Sequence, residues 1–71
     1  MASGIRVQLG ERIRDLRRKR GWRQIDLAVH AELSKTHICD VETGKREIGL
    51  EALKRVAEAL DQTLSDLLKE I

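Results

Sequence analysis

Apolar residues recur three and four positions apart in short segments of this chain, and polar connections separate the segments. The most regular segment carries Leu50, Leu53, Val56, Ala57 and Leu60. This spacing places side chains on one face of an α-helix, whereas a half-buried strand needs strict alternation. The chain has no proline and a single aromatic residue, Trp22, and β-sheets are rich in aromatic and β-branched residues. The sequence therefore predicts an all-α fold.

The start of the chain predicts a flexible segment followed by a helix. Residues 1–7 have no capping residue and little apolar content, which is typical of a flexible lead-in. Leu9 and Ile13 then share one helical face, and Gly21 supplies the left-handed residue that ends such a helix. With 71 residues in total, we expect one small domain over residues 8–71 and no separate sensor domain.

Two very short helices follow. The second helix is predicted over Gln24 to His30, and the third runs from an N-cap at Ser34 to about Thr43. Helices this short, joined by a three-residue turn, must cross steeply, as in a helix-turn-helix over residues 24–43. The second helix of such a unit projects its outer face into the major groove of DNA. That outer face is predicted to carry Lys35, Thr36, Cys39, Asp40 and Thr43.

The end of the chain predicts a fourth helix over the regular apolar segment and a short fifth helix. Thr63 can cap the fifth helix, with Asp66 in the position of a capping box. The apolar residues of this helix are Leu64, Leu67, Leu68 and Ile71. They exceed what the edge of a small core needs, so we expect them to form a dimer contact. A tail that folds back on its own core is the alternative.

Charge is distributed unevenly along the chain. Residues 1–23 carry eight cationic side chains against two acidic ones, and residues 24–71 carry six against ten. A basic block on a small domain suits a polyanion such as nucleic acid. An arginine-rich helix face that is merely solvated is the alternative interpretation.

Several classes of protein are not indicated by the sequence. The longest apolar run is three residues, which is too short for a transmembrane span or a signal peptide. The single cysteine, Cys39, cannot form an internal disulfide, which favours a reducing compartment. We find no nucleophile–base pair or phosphate-binding loop, so we expect neither an enzyme nor a cofactor. His30 and His37 have no further ligand at metal-binding spacing.

Taken together, several motifs resemble the lambda-repressor and Cro family of helix-turn-helix DNA-binding domains. They are LGERIRDLR at residues 9–17, RGWRQ at 20–24, DLA at 26–28, LS at 33–34, VE at 41–42, GKR at 44–46, LEAL at 50–53 and LSDLL at 64–68. The resemblance spans roughly residues 8–68. It implies a compact five-helix domain that binds double-stranded operator DNA as a homodimer.

The resemblance also implies roles for individual residues. Base contacts fall on Lys35, Thr36 and Asp40. Phosphate contacts fall on Gln24, Ser34, His37, Thr43, Lys45 and Arg46, and Arg23 adds a further candidate. Arg17 and Glu42 match a structural salt bridge between the first and third helices. Lys35 can donate to guanine, Thr36 can contact a base or a thymine methyl, and Asp40 can accept only from cytosine. Alternatively, Asp40 pairs with a neighbour such as Lys35 or Thr43.

Three departures from the family pattern affect the turns. Arg23 stands where the family has a Ser or Thr cap, Glu32 replaces the glycine of the turn, and Gly49 is a weak cap for the fourth helix. Trp22 is expected to be core or half-core rather than a base-stacking residue. Cys39 is expected to be a small neutral residue on the groove-facing side, with a redox sensor as the alternative.

From these features we expect a transcriptional regulator, bacterial or phage-encoded, cytoplasmic and associated with the nucleoid. The alternative is an antitoxin-like interaction module, whose main role is to bind a protein such as a toxin and whose DNA binding is secondary. Polymerase is another possible protein partner. No membrane association is expected.

Overall fold

Five helices account for most of residues 4–71, the part of the chain that this computed structural model describes. They are α1 (Ile5–Lys19), α2 (Gln24–Ala31), α3 (Lys35–Glu42), α4 (Leu50–Ala59) and α5 (Leu64–Leu68). The prediction of an all-α fold with five helices is confirmed. The boundaries of α2 to α4 agree with the sequence prediction to within one or two residues. The fifth helix ends at Leu68, three residues before Ile71, which was predicted to belong to it.

The start of α1 differs from the prediction. Gly4 is the extended N-cap and the helix begins at Ile5, so residues 5–7 form its first turn and are not a lead-in. Val7 explains why, because it is half-buried and lies against Gly44 in the connection after α3. That contact joins residues far apart in the sequence and leaves no local signal. Residues 1–3 of the predicted lead-in lie outside the described residues.

All five helices contribute to one apolar core. Its buried members are Leu9, Ile13, Leu27, Ala28, Ala31, Ile38, Val41, Leu53, Val56, Ala57, Leu60 and Leu67. Burial of a large aliphatic side chain contributes about 1.5–3 kcal/mol, so this cluster is the main source of stability. In this core α1 packs on α3, α2 packs on α3 and α4, and α5 packs on α1 and α4.

Backbone contact between α1 and α3 depends on Gly10. A Cβ atom at this position would lie 2.6 Å from the carbonyl oxygen of Glu42 and 2.8 Å from its carbonyl carbon. Any side chain there would push the two helices apart. Gly10 therefore sets how closely α3 can sit against the first helix.

Capping follows the prediction at α3 and α5, and α2 lacks a side-chain cap, as expected from Arg23 at that position. Ser34 accepts a hydrogen bond from the backbone N–H of His37 at 3.0 Å. Thr63 and Asp66 form the predicted capping box, with bonds of 2.9 and 3.0 Å. At α2, Arg23 has no side-chain acceptor, and Asp26 instead accepts from the Arg23 backbone N–H at 2.8 Å.

Candidate nucleic-acid interface

The turn between α2 and α3 keeps a left-handed residue although no glycine is present. Glu32 adopts φ 59° and ψ 42°. Leu33 N–H donates to the carbonyl of Ala28 at 2.9 Å, and Glu32 N–H donates to that of Val29 at 3.2 Å. These bonds form a Schellman turn that ends α2 and directs the chain into α3. Glu32 in place of a glycine therefore strains the backbone, but the turn keeps its left-handed residue.

The outer face of α3 carries the three predicted base-contact residues. Lys35 and Thr36 are exposed, whereas Asp40 is half-buried. Thr43 is exposed too, but its hydroxyl donates to the carbonyls of Cys39 at 2.9 Å and Asp40 at 3.2 Å. Lys35 and Thr36 are thus the two predicted base-contact residues that are exposed.

Asp40 has a different partner from those that the sequence suggested. Its Oδ2 lies 3.6 Å from Nη2 of Arg46. Lys35 is not in this ion pair, and the Thr43 hydroxyl is bonded to backbone carbonyls. The carboxylate on the outer face of α3 is therefore neutralised by a cation from the connection that follows the helix.

Several predicted phosphate contacts have intramolecular partners. Gln24 Nε2 donates to Oε1 of Glu42 at 3.1 Å, so this side chain points to a buried carboxylate. The guanidinium of Arg23 pairs with Asp26 at 3.2 Å and stays largely exposed. The hydrogen bonds that Arg23 donates hold the pKa of the Asp26 carboxyl below its usual value.

The remaining phosphate candidates lie around α3. The Ser34 hydroxyl serves as the helix cap, and Lys45 and Arg46 are exposed in the following connection. His37 is half-buried, and its Nε2 is buried without a hydrogen-bond partner within residues 4–71. The Nε2 atom of His37 is therefore not available for the predicted phosphate contact.

A buried network locks α3 against the first two helices. Arg17 Nε and Nη2 donate to the Glu42 carboxylate at 2.7 and 3.0 Å. Arg17 Nη1 also donates to the carbonyl of Trp22 at 2.7 Å. The predicted pair is thus present, and it is joined by Gln24 and by the carbonyl of Trp22, which the sequence prediction did not include. Because the charges of this network are buried and hydrogen-bonded to each other, it fixes the C-terminal end of α3.

Much of the basic block at the start of the chain has a structural role. Arg12 donates to three carbonyls at the end of α5, those of Asp66 at 2.9 Å, Leu67 at 3.3 Å and Lys69 at 2.8 Å. Arg14 donates to the Glu42 carbonyl at 3.3 Å. Local sequence gives no signal for these contacts, because the bonded residues are 28 to 57 positions apart. The number of cationic residues in this block is therefore larger than the number whose side chains are available to a polyanion.

The predicted dimer residues do not share one exposed surface. Leu67 is fully buried in the chain's own core, so it is not available to a second copy. Leu64 and Ile71 are partly buried against that core, and Leu68 is 39% exposed. The alternative of a tail folded on its own core thus applies to Leu67. Because α5 is so short, the spacing of its apolar residues does not show which of them face the core and which face solvent.

Other apolar side chains form an exposed groove that the sequence prediction did not include. Ile5 is 60% exposed and Leu50 is 77% exposed. They lie with Ile48 and Leu68 around a concave, mostly apolar surface between α1, α4 and α5. We refer to these four residues as the apolar groove. An exposed patch of this kind marks a candidate protein interface.

Trp22 is half-buried against the core, as predicted. One face of its ring stacks on His30, with centroids 4.4 Å apart and planes at 1°. The guanidinium of Arg20 lies 4.8 Å from the ring centroid. These contacts make Trp22 a packing residue at the junction of α1 and α2.

Cys39 is half-buried with a free thiol.

Within residues 4–71, no three or more His, Cys, Asp and Glu side chains are grouped so that they could hold a metal ion. In that same region no helix combines the length and the apolar character needed to cross a membrane.

Comparison with known proteins identifies the fold and the family. Residues 8–69 match the sequence model described as a helix-turn-helix domain. The control protein C.BamHI of Bacillus amyloliquefaciens is 33% identical over 69 residues, covering 96% of this chain and 85% of that protein. The HTH-type transcriptional regulator DdrOP3 of Deinococcus deserti is 37% identical over 65 residues, or 92% of this chain. The chain matches about half the length of DdrOP3.

The structural comparison agrees with the sequence match. The crystal structure of the restriction-modification controller protein C.AhdI from Aeromonas hydrophila superposes with a TM-score of 0.84 at 34% identity. The superposition covers 86% of this chain and 92% of that one. The predicted resemblance is confirmed: the chain belongs to the helix-turn-helix domain family.

Proposed function

We propose that this chain is a sequence-specific DNA-binding transcriptional regulator that inserts α3 into the major groove. Two observations together carry the proposal. The outer face of α3 is exposed, with Lys35 and Thr36 on it, and the buried Arg17–Glu42 pair holds the C-terminal end of that helix. A recognition helix must be presented in one orientation to read base edges. The match to controller proteins and transcriptional regulators supports the same function.

Individual contacts follow from the chemistry of the exposed groups. Lys35 donates to O6 and N7 of guanine, and Thr36 contacts a base edge or a thymine methyl. Lys45 and Ser34 contact phosphate on either side of α3, with Thr43 beside them. The backbone N–H groups at the start of α2 face the next phosphate, flanked by the exposed guanidinium of Arg23. Gln24 contributes there by holding the start of α2 against Glu42.

The regulator acts as a homodimer on a pseudo-palindromic operator, and the apolar groove is the surface that a second copy covers. Leu50 is the most exposed large apolar side chain on the described surface, and Ile5 ranks third after Val29. Covering them removes apolar area from water, which contributes about 25 cal/mol per Å². Leu68 extends this surface to α5, whereas Leu64 and Ile71 are partly buried against the chain's own core.

In this account, regulation is steric. The dimer occupies an operator that overlaps a promoter, in the cytoplasm of a bacterium and on its nucleoid. The curated relatives are control proteins, a transcriptional regulator and an immunity repressor of a Bacillus phage. Each of these roles is compatible with a domain whose output is operator occupancy.

One observation favours a second function. Ile25 and Val29 lie four residues apart on α2 and are 39% and 68% exposed, so they form an apolar pair on the outer side of that helix. A protein partner such as a toxin or a polymerase subunit would bind there. This would make the chain an interaction module whose DNA binding is secondary.

A selection of random duplex DNA by the purified protein at near-physiological salt tests the proposal. We expect two enriched half-sites about one helical turn apart. The Lys35→Ala, Thr36→Ala double variant should lose the enrichment. Lys54→Ala, which removes an exposed lysine from α4, is the matched control and should keep it. Retention of DNA without sequence preference, disappearing as salt rises, would contradict the proposal and favour the interaction module.

A further inference from the structure

An acidic residue on the outer face of α3 is the feature that the proposed function leaves unexplained. Asp40 lies four residues after Thr36 and three before Thr43, so it shares the face that enters the groove. DNA presents a dense array of negative phosphates on both sides of that groove. A carboxylate there is unfavourable unless a base donates to it or a cation stays beside it.

The structure supplies the cation through the turn that ends α3. Gly44 is left-handed, with φ +77°. Lys45 N–H donates to the carbonyl of Asp40 at 2.9 Å, and Gly44 N–H donates to that of Val41 at 3.2 Å. These bonds form a second Schellman turn, which reverses the chain at the end of the helix. The reversal brings the guanidinium of Arg46 back to the carboxylate of Asp40, six residues earlier.

The ion pair leaves Arg46 able to bind a further group. An arginine has five N–H donors in one plane, and the nearest contact to Asp40 is made by Nη2, at 3.6 Å. The Arg46 side chain is 50% exposed, against 27% for that of Asp40. The carboxylate is thus the more buried, anchoring member of the pair, and the guanidinium has a surface that remains open to solvent.

Such an arrangement suits the recognition of guanine. Two parallel N–H donors of arginine match O6 and N7 of guanine, the commonest specific contact in the major groove. A guanidinium already held by a carboxylate loses less conformational freedom when it binds, so the contact is stronger than one from a mobile side chain. A phosphate contact needs no such anchor, because phosphate accepts from many directions.

We propose that Asp40 is a positioning residue that directs Arg46 to a guanine in the major groove, next to the bases that Lys35 and Thr36 read. The inference rests on the proposed operator-binding function. It replaces the predicted base contact by Asp40 and the predicted phosphate contact by Arg46. Lys45, which within residues 4–71 forms no ion pair, remains a phosphate ligand.

Binding-site selection with single variants tests this assignment, after circular dichroism has shown that each variant folds. Arg46→Ala should lower the preference for guanine at one position of each half-site on the order of ten- to a hundredfold. Arg46→Lys, which keeps the charge, and Asp40→Ala should weaken the preference at the same position. The matched control Lys45→Ala should keep every preference and reduce the slope of log affinity against log salt by about one.

Three results would overturn the assignment while leaving the proposed function intact. Asp40→Ala could raise affinity for all duplexes without altering any preference, in which case the acid is only neutralised. Arg46→Ala could lower affinity equally for all sequences, as a phosphate contact would. Arg46→Ala could keep the preference that Asp40→Ala loses, which would mean that Asp40 reads cytosine itself. By contrast, a wild-type protein that enriches no sequence would contradict the proposed function as well.

Discussion

Arg17 donates two hydrogen bonds, of 2.7 and 3.0 Å, to the carboxylate of Glu42 in the protein interior. Their side chains are 9% and 1% exposed, and they join α1 to the end of α3 across 25 residues of sequence. Gln24 adds a third bond to the same carboxylate. The orientation of the recognition helix thus depends on a charge pair that never contacts DNA in the proposed complex.

Removing one member of this pair should destabilise the fold strongly. We expect Arg17→Ala to reduce the free energy of unfolding by about 3–5 kcal/mol, because the Glu42 carboxylate stays buried without its charge partner. The double variant Arg17→Met, Glu42→Leu should lose much less. Urea denaturation followed by circular dichroism measures both, and equal losses in the single and double variants would show that the buried charge is not the cause.

A methyl group at Gly10 should separate α1 from α3. The Cβ atom would lie 2.6 Å from the Glu42 carbonyl oxygen, and backbone cannot move aside as a flexible side chain can. We expect Gly10→Ala to cost about 1–3 kcal/mol or more of stability. Gly4→Ala is the control, because a Cβ atom there has nothing within 4 Å. Similar thermal midpoints for the two variants would contradict the close contact.

Glycine at position 32 should stabilise the protein. Glu32 is left-handed, with φ 59°, and that conformation costs a non-glycine residue on the order of 1–2 kcal/mol. Part of the gain is offset because glycine is more flexible in the unfolded chain. We therefore expect Glu32→Gly to raise stability by about 1 kcal/mol and Glu32→Ala to have little effect. A stabilisation of the same size by alanine would indicate a charge effect instead of backbone strain.

Substitutions in the apolar groove and in the core should have different consequences. Leu50→Glu should produce a folded monomer, because Leu50 is 77% exposed and contributes to the proposed dimer surface. Leu67→Glu should unfold the domain, because Leu67 is fully buried. Analytical ultracentrifugation together with circular dichroism distinguishes these outcomes. A Leu50→Glu protein that remains dimeric would place the interface elsewhere.

Acid should weaken the cap of α5. Hydrogen bonds from the backbone and side chain of Thr63 lower the pKa of the Asp66 carboxyl from its ordinary value of 3.8. The ionised carboxylate therefore stabilises the folded state above pH 3.8, and this contribution is lost as pH falls through the lower, folded-state pKa. The destabilisation caused by Asp66→Asn should shrink between pH 5 and pH 2, as measured by urea denaturation. A constant difference across that range would contradict the role of the charge.

Much of the fold could be predicted from local sequence, because caps and glycines act over a few residues. Ser34, Thr63 and Gly44 define helix ends by their own chemistry, and Leu53 and Val56 show their shared face by spacing alone. Less of the candidate site could be predicted from the sequence. The exposed positions of Lys35 and Thr36 follow from the phase of α3, whereas contacts between distant residues leave no pattern.

Arginine shows most clearly what the sequence could not determine. Arg12 and Arg14 belong to the same basic block as Arg18, but the first two donate to carbonyls of other helices. Composition counts all of them equally as cations. Similarly, the partner of Asp40 is Arg46, a residue that reaches it only because the chain reverses at Gly44.

Fluorescence anisotropy on the selected operator tests whether α3 reads the DNA sequence. The wild-type protein and the Lys35→Ala, Thr36→Ala variant are each titrated against that duplex and a scrambled duplex at the same salt concentration. We expect the wild type to prefer the operator by about a thousandfold or more, and the double variant to bind both duplexes with nearly equal affinity. A wild-type ratio near one, or a double variant that keeps the preference, would contradict the claim that α3 reads the DNA sequence.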